Sequence, residues 1–144
     1  MTSRENNDSD SGYRKCFACG QDNPRGLRLK PGNENGEAVA EFRPDADLEG
    51  YGGVVHGGLV GTVLDEVMVW AARYAAGTAA VTAEMTVRYL KPVRTGGLYV
   101  GRGRVLENKG RLILTEGTLT DEKGEVFARA QAKLFAVKIE PVER

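Results

Sequence analysis

Asp65 is an acid in a stretch of chain that otherwise reads as core. Between Leu59 and Ala76 the strongly polar side chains are Thr62, Asp65, Glu66 and Arg73, set among apolar residues. Glu66 lies four residues after Thr62 and seven before Arg73, so on a helix these three share one stripe, and Glu66 has Arg73 or solvent for company. Asp65 lies about 100° further round. Its neighbours one turn away are Gly61, Thr62, Met68 and Val69, with no cation among them. A buried aspartate without a local partner loses hydration that nothing nearby replaces. It either bonds to a neighbouring strand or is kept for chemistry with a perturbed pKa.

A second feature stands at the start of the same helix, in His56-Gly57-Gly58. The first turn of a helix leaves N–H groups without intrahelical acceptors, at the positive end of the macrodipole. Glycines there let a ligand come close to the backbone, and the result is a ready oxyanion hole for a carbonyl. His56 is the one histidine of the chain; its expected role is to fix the helix start by hydrogen bonding. There is no Ser-His-acid arrangement to make a nucleophilic triad. Gly57 and Asp65 are eight residues apart, about 12 Å along a helix axis. One carbonyl carbon cannot lie ~3 Å from both. If both act in one reaction they come from two copies of the helix, which implies a dimer with two equivalent shared sites.

Cys16 and Cys19, in Cys-Phe-Ala-Cys-Gly, are the two cysteines. One CxxC is half of a zinc site and the histidine is far away in sequence, so the pair reads as reduced thiols that structure a turn, with a zinc shared between subunits or a redox pair as alternatives. No metal site and no cofactor are expected. Twenty basic and twenty acidic residues give a formal net charge of zero, which argues against nucleic-acid or membrane-surface partners. Met1 to Gly12 lacks the apolar run of a signal peptide, and the apolar stretch 59–76 carries Asp65, Glu66 and Arg73, each disfavoured at a bilayer centre by ~2.5–3.5 kcal/mol. A cytoplasmic protein is expected, with a disordered tail over residues 1–13, one domain over 14–138 and a short C-terminal tail over 139–144.

The elements that must hold these groups follow from periodicity. Leu27–Leu29 and Glu37–Phe42 flank a cluster of turn residues, Pro31–Gly36, and read as a hairpin. The helix opens near Gly57 and stops at Gly77, a natural C′ residue. Beyond it the period becomes two: Val81, Ala83, Met85, Val87 and Tyr89 share one face, opposite Thr82, Glu84, Thr86 and Arg88. Strands over 98–106 and 111–120 are joined by Glu107–Gly110, and Asp121–Gly124 leads into a last strand where Val126, Ala128, Ala130, Ala132, Leu134 and Ala136 face one way. The helix is apolar almost all round and so is buried on most faces. A single antiparallel sheet of about six strands curling round it satisfies this, an α+β architecture.

Two segments, Val55-His-Gly-Gly-Leu-Val-Gly-Thr-Val-Leu-Asp65 and Val81-Thr-Ala-Glu-Met-Thr-Val-Arg-Tyr-Leu-Lys-Pro92, together with the opening Cys-Phe-Ala-Cys-Gly-Gln-Asp-Asn-Pro-Arg-Gly-Leu, resemble hotdog-fold acyl-CoA thioesterases of the 4-hydroxybenzoyl-CoA thioesterase superfamily. The similarity is to the phenylacetate-pathway and superfamily-member-2 type. The resemblance implies hydrolysis of an acyl-CoA to free acid and CoA in a homodimer or a tetramer of two dimers. It implies Asp65 as general base or nucleophile, the backbone N–H of Gly57 from the other subunit as oxyanion donor, and Thr82 as the hydroxyl that positions the attacking water. His56, Gly58 and the rival acid Glu66 are further candidates to line the substrate, with Arg88, Lys91, Lys109 and Arg111 for the CoA phosphates. Some relatives carry asparagine six residues before the histidine, where this chain has Gly50. Two other readings stand beside it. One is a non-catalytic acyl-CoA-binding regulator. The other is an enoyl-CoA hydratase, although Asp45 and Asp47 precede His56 at spacings unlike that chemistry's Asp-x-Asn-x-x-His.

Overall fold

The computed structural model describes residues 13–138; the remainder of the two expected tails lies outside the described residues. Six strands form one antiparallel sheet: β1 (Gly32–Glu34), β2 (Glu37–Phe42), β3 (Ala79–Tyr89), β4 (Tyr99–Asn108), β5 (Leu112–Asp121) and β6 (Val126–Val137). Their order across the sheet is β1-β2-β4-β5-β6-β3. One 20-residue helix, α1 (Gly57–Ala76), lies against the sheet. This is the hotdog fold expected from the sequence. No helix among the described residues is long and apolar enough to cross a membrane.

The helix ends where its residue types require. Gly77 takes the left-handed conformation, φ 68°, and its N–H bonds to the Arg73 carbonyl, the glycine stop that only a residue without Cβ makes cheaply. One face of α1 lies in a furrow of small residues running straight across the sheet. Ala38, Gly103, Gly117, Ala130 and Val87 are successive cross-strand partners on β2, β4, β5, β6 and β3. A Cβ on Gly103 would stand 2.1 Å from the Val67 carbonyl oxygen, and one on Gly117 3.2 Å from Met68 Cγ. The helix backbone therefore rests directly on β4, and Leu64, Met68, Ile113, Leu119 and Leu134 close the core on either side. Opposite the sheet, residues 13–29 cover the helix. Tyr13, assigned to the tail by the sequence, packs its ring 5.4 Å from that of Trp70, which in turn lies 5.6 Å from Tyr74. Sheet on one side and this segment on the other explain why α1 is apolar nearly all round.

Two expectations are corrected. The first hairpin exists, but its leading strand is Gly32–Glu34 rather than Leu27–Leu29, and it reverses at Asn35 (φ 54°) and Gly36 (φ 87°). Two successive left-handed residues make the tight turn whose twist matches paired strands. Arg28 is also left-handed, φ 53°, which breaks any strand through Leu27–Leu29; Leu29 instead is buried and bonds through its N–H to Ala18.

The second correction is on β3. The register against β6 slips between Thr82 and Glu84, so Ala83 is an extra residue, a β-bulge that inverts the alternation. Ala80 and Thr82 before the bulge share the inner side with Met85 and Val87 after it, while Val81 is turned out and 47% exposed. The period-two reading placed Thr82 on the wrong face.

Since the furrow leaves no room for a side chain at Gly103, Gly103→Ala must separate helix and sheet. A loss of about 3 kcal/mol, the upper end for core overpacking, is expected in urea denaturation; a change below about 1 kcal/mol would show that α1 does not need this close approach.

Candidate active site

Seating α1 in the furrow turns Asp65 toward β3. There the inward-facing Thr82 donates its hydroxyl hydrogen to Asp65 Oδ1 in a short hydrogen bond. The partner expected for the buried aspartate thus comes from a neighbouring strand, and it is the residue that the bulge brings inward. Asp65 itself is half-buried. It keeps its second carboxylate oxygen for another group.

At the other end of the element pair, Gly57 is the first helical residue. Its carbonyl accepts a 2.7 Å bond from the Tyr89 hydroxyl, which ties the helix start to the end of β3. His56 caps the helix: its Nδ1 accepts from the Gly58 N–H at 2.9 Å, so Nδ1 is the unprotonated nitrogen. The His56 carbonyl takes the N–H groups of Leu59 and Val60. Among the described residues no acceptor meets the N–H of Gly57, so that donor remains available at the positive end of the dipole. A cleft of about 470 Å³ opens here, walled by Tyr51, His56, Gly57, Val60, Tyr89 and Leu90. A larger hollow of about 680 Å³, between 26–30 and 41–48, touches none of the candidate residues. Gly50 lies beside His56, where an added Cβ would come within 3.3 Å of His56 Cα.

Glu66 belongs to a different place. It points away from Asp65 toward the N-terminal segment, is buried, and accepts a 2.8 Å bond from the Trp70 indole. Cys16 and Cys19 are its other neighbours, in place of the expected Arg73 or solvent. Desolvation pushes its carboxyl up to about 7, and the neighbouring Cys16 sulfur adds to the rise. The two thiols are shifted in opposite directions. Cys16 is lowered, first by the hydrogen bond from Cys19; Cys19 is raised, first by giving that bond. Neither the closeness of Cys16–Cys19 to Glu66 nor the Tyr89 tie was foreseen.

The basic candidates fall into two groups. Arg88 and Lys91 stand near the Tyr89 end of β3, Lys91 paired with Glu125. Lys109 and Arg111 occupy the β4–β5 turn, which lies at the other end of the sheet because Leu112 pairs with Phe135 and Phe135 with Val81. All four are exposed. Asp45 caps its own short turn by accepting from the Asp47 N–H, while the Nδ1 of His56 is taken by the Gly58 N–H.

Residues 52–128, more than half of the chain, match the thioesterase superfamily. The chain belongs to that superfamily and has its hotdog fold. It is 29% identical over 97 residues to an acyl-coenzyme A thioesterase of Xenopus laevis, a match covering 67% of this chain and 43% of that protein. The stretches matched in curated relatives span 43% to 65% of their own lengths. A solved thioesterase superfamily protein superimposes with TM-score 0.79 at 25% identity, covering 85% of this chain and 63% of that one. Zebrafish thioesterase superfamily member 2 gives 0.73 at 20% identity over 87% and 94% of the two chains. A Streptococcus mutans protein whose crystal structure holds acetyl-CoA gives 0.67 at 23% identity, over 72% and 83%.

The His56 cap gives a direct test of how the helix start is held. His56→Ala should lower stability by about 1 kcal/mol, as loss of an N-cap acceptor does, whereas His56→Asn should keep most of it. Equal thermal midpoints for all three proteins would mean that the cap is not what orders Gly57.

Proposed function

We propose that the protein hydrolyses an acyl-CoA thioester at two equivalent sites, each built from Gly57 of one subunit and Asp65 and Thr82 of the other. The observation that carries this reading is a separation. The acid held by Thr82 and the free N–H of Gly57 lie on one rigid helix, at opposite ends of a strand that is itself an unpaired sheet edge. Eight helical residues set Gly57 and Asp65 ~12 Å apart along the axis, at ~1.5 Å per residue, too far for one reaction centre. An edge of eleven residues with Val81 and Tyr89 exposed, and Leu90 just beyond it, is a template for another strand. Two copies of β3 paired antiparallel about a two-fold axis near Met85 and Thr86 bring the Gly57 end of one chain beside the Asp65 end of the other. The same pairing sets Arg88 and Lys91 of one chain near Lys109 and Arg111 of the other, four cations for the phosphates of CoA.

In that site the Gly57 N–H donates to the thioester carbonyl and stabilises the oxyanion as it forms. Asp65 takes a proton from water while the water oxygen attacks the carbonyl carbon; Thr82 holds the carboxylate in place. The tetrahedral intermediate collapses, the C–S bond breaks, and the CoA thiolate takes up a proton as the free acid leaves. Attack by the Asp65 carboxylate itself, followed by hydrolysis of the anhydride, uses the same groups. The related Xenopus protein is an acyl-CoA thioesterase, and a structural neighbour holds acetyl-CoA; both support CoA esters as the substrate class.

Free-thiol release from a panel of acyl-CoAs tests the assignment. Asp65→Asn should lower kcat by roughly 10²–10⁴-fold with the fold intact. Release unaffected by that change overturns the role of Asp65, and binding without release from the native protein points to a carrier instead of an enzyme.

The shared site has its own test in Gly57→Pro. Proline is at home at the first helical position and lacks the N–H, so the helix should form while kcat falls by about 10²–10³. Random reassembly of Gly57→Pro with Asp65→Asn should then restore about a quarter of native activity, because half of the dimers regain one of two sites. No recovery in verified mixed dimers would place both groups in one chain.

A further inference from the structure

We propose that Cys16, Cys19 and Glu66 form a zinc site that pins the N-terminal segment to the central helix. The three donor atoms, two sulfurs and a carboxylate oxygen, lie within 4.8 Å of one another. Tetrahedral zinc with Zn–S near 2.3 Å and Zn–O near 2.0–2.2 Å needs donor separations of about 3.5–3.8 Å. Small side-chain rotations close that difference. Each donor is already oriented. The turn after Cys16 is tight enough that a Cβ on Gly20 would lie 2.4 Å from the Cys16 nitrogen and 2.6 Å from its oxygen. Its Gly20 N–H bonds to the Cys16 carbonyl at 2.8 Å, and the neighbouring Cys19 thiol and the turn's backbone favour a thiolate at Cys16. Glu66 has one carboxylate oxygen fixed by the Trp70 indole at 2.8 Å, which leaves the other for the sulfurs.

Burial makes a cation the natural complement. Cys19 is 1% and Glu66 8% exposed, and Trp70, whose indole bonds Glu66, packs at a tilt against Tyr13. A thiol pair and a carboxyl sharing a dry space favour a divalent ion over the loss of hydration that their charged forms otherwise suffer. Thiolate donors select zinc over calcium or magnesium. Cys16 is only half-buried, which leaves solvent to supply a fourth ligand in the proposed site. Binding releases the protons of the coordinating groups to solvent. Because Cys16 and Glu66 are fifty residues apart in sequence, the ion ties the covering segment to α1 about 100° round the helix from Asp65, and its role is to hold that segment in place.

The test uses the full chain, stripped with a chelator and titrated with Zn²⁺. One equivalent should bind, both thiols should become unreactive toward a chromogenic disulfide, and the thermal midpoint should rise. Co²⁺ in place of zinc should show thiolate-to-metal charge-transfer and tetrahedral d–d bands. Cys16→Ser and Cys19→Ser should each abolish these bands. Glu66→Gln, which keeps an oxygen for Trp70, should weaken binding at least tenfold, and Asp65→Asn should bind as the native chain does. Zinc uptake that leaves both thiols reactive, or no uptake at all, overturns the proposal. So does ready closure of a Cys16–Cys19 disulfide in a protein that takes no metal, which would make the pair a redox couple. Binding unaffected by Glu66→Gln removes the acid from the site.

Discussion

The contact between the backbone of α1 and Gly103 of β4 governs the rest of the structure. Protein interiors have no slack to absorb a displaced helix, so the furrow through Ala38, Gly103, Gly117 and Ala130 determines both the height and the rotation of α1 over the sheet. Rotation matters most, because successive helical residues point about 100° apart. With Val67 pressed on Gly103, Asp65 faces the edge strand and Glu66 the covering segment. Two adjacent acids thereby enter environments with nothing in common. One meets a threonine hydroxyl at a half-open edge, the other an indole and two thiols in a dry pocket.

The edge strand holds the second constraint. Without the extra residue at Ala83, inner and outer positions would alternate unbroken along β3, and an inward Met85 would demand an outward Thr82. The bulge lets the strand present its apolar residues to the core and its hydroxyl to Asp65 at once. Local features of this kind concentrate where a strand must re-aim a side chain. At the far end of β3 the Tyr89 hydroxyl holds the first carbonyl of α1, so strand and helix are bonded to each other near both ends. The distance between Asp65 and Gly57 is accordingly rigid, which is why the reading proposed above calls on a second copy and not on a movement within one chain.

Much of this was legible in the residue order, for local reasons. The helix limits follow from glycines at both ends and an apolar run between them, and β4, β5 and β6 from period-two patterns separated by glycine turns; local sterics decide such features and leave their mark in neighbouring residues. The separation of Asp65 and Gly57 along α1 needed only the helical rise. The family followed from the same short motifs. What stayed hidden was decided between residues distant in the chain. Bulge or no bulge, the composition of β3 is the same, and only its pairing with β6 shows which way Thr82 faces. The first hairpin was misplaced because the alternation of Leu27-Arg28-Leu29 imitates a strand, while a left-handed Arg28 and the burial of Leu29, its N–H bonded to Ala18, belong to the assembled core. Nothing near Glu66 in sequence announces two cysteines. Their meeting is a product of the segment folding back over a helix whose rotation the sheet had already determined.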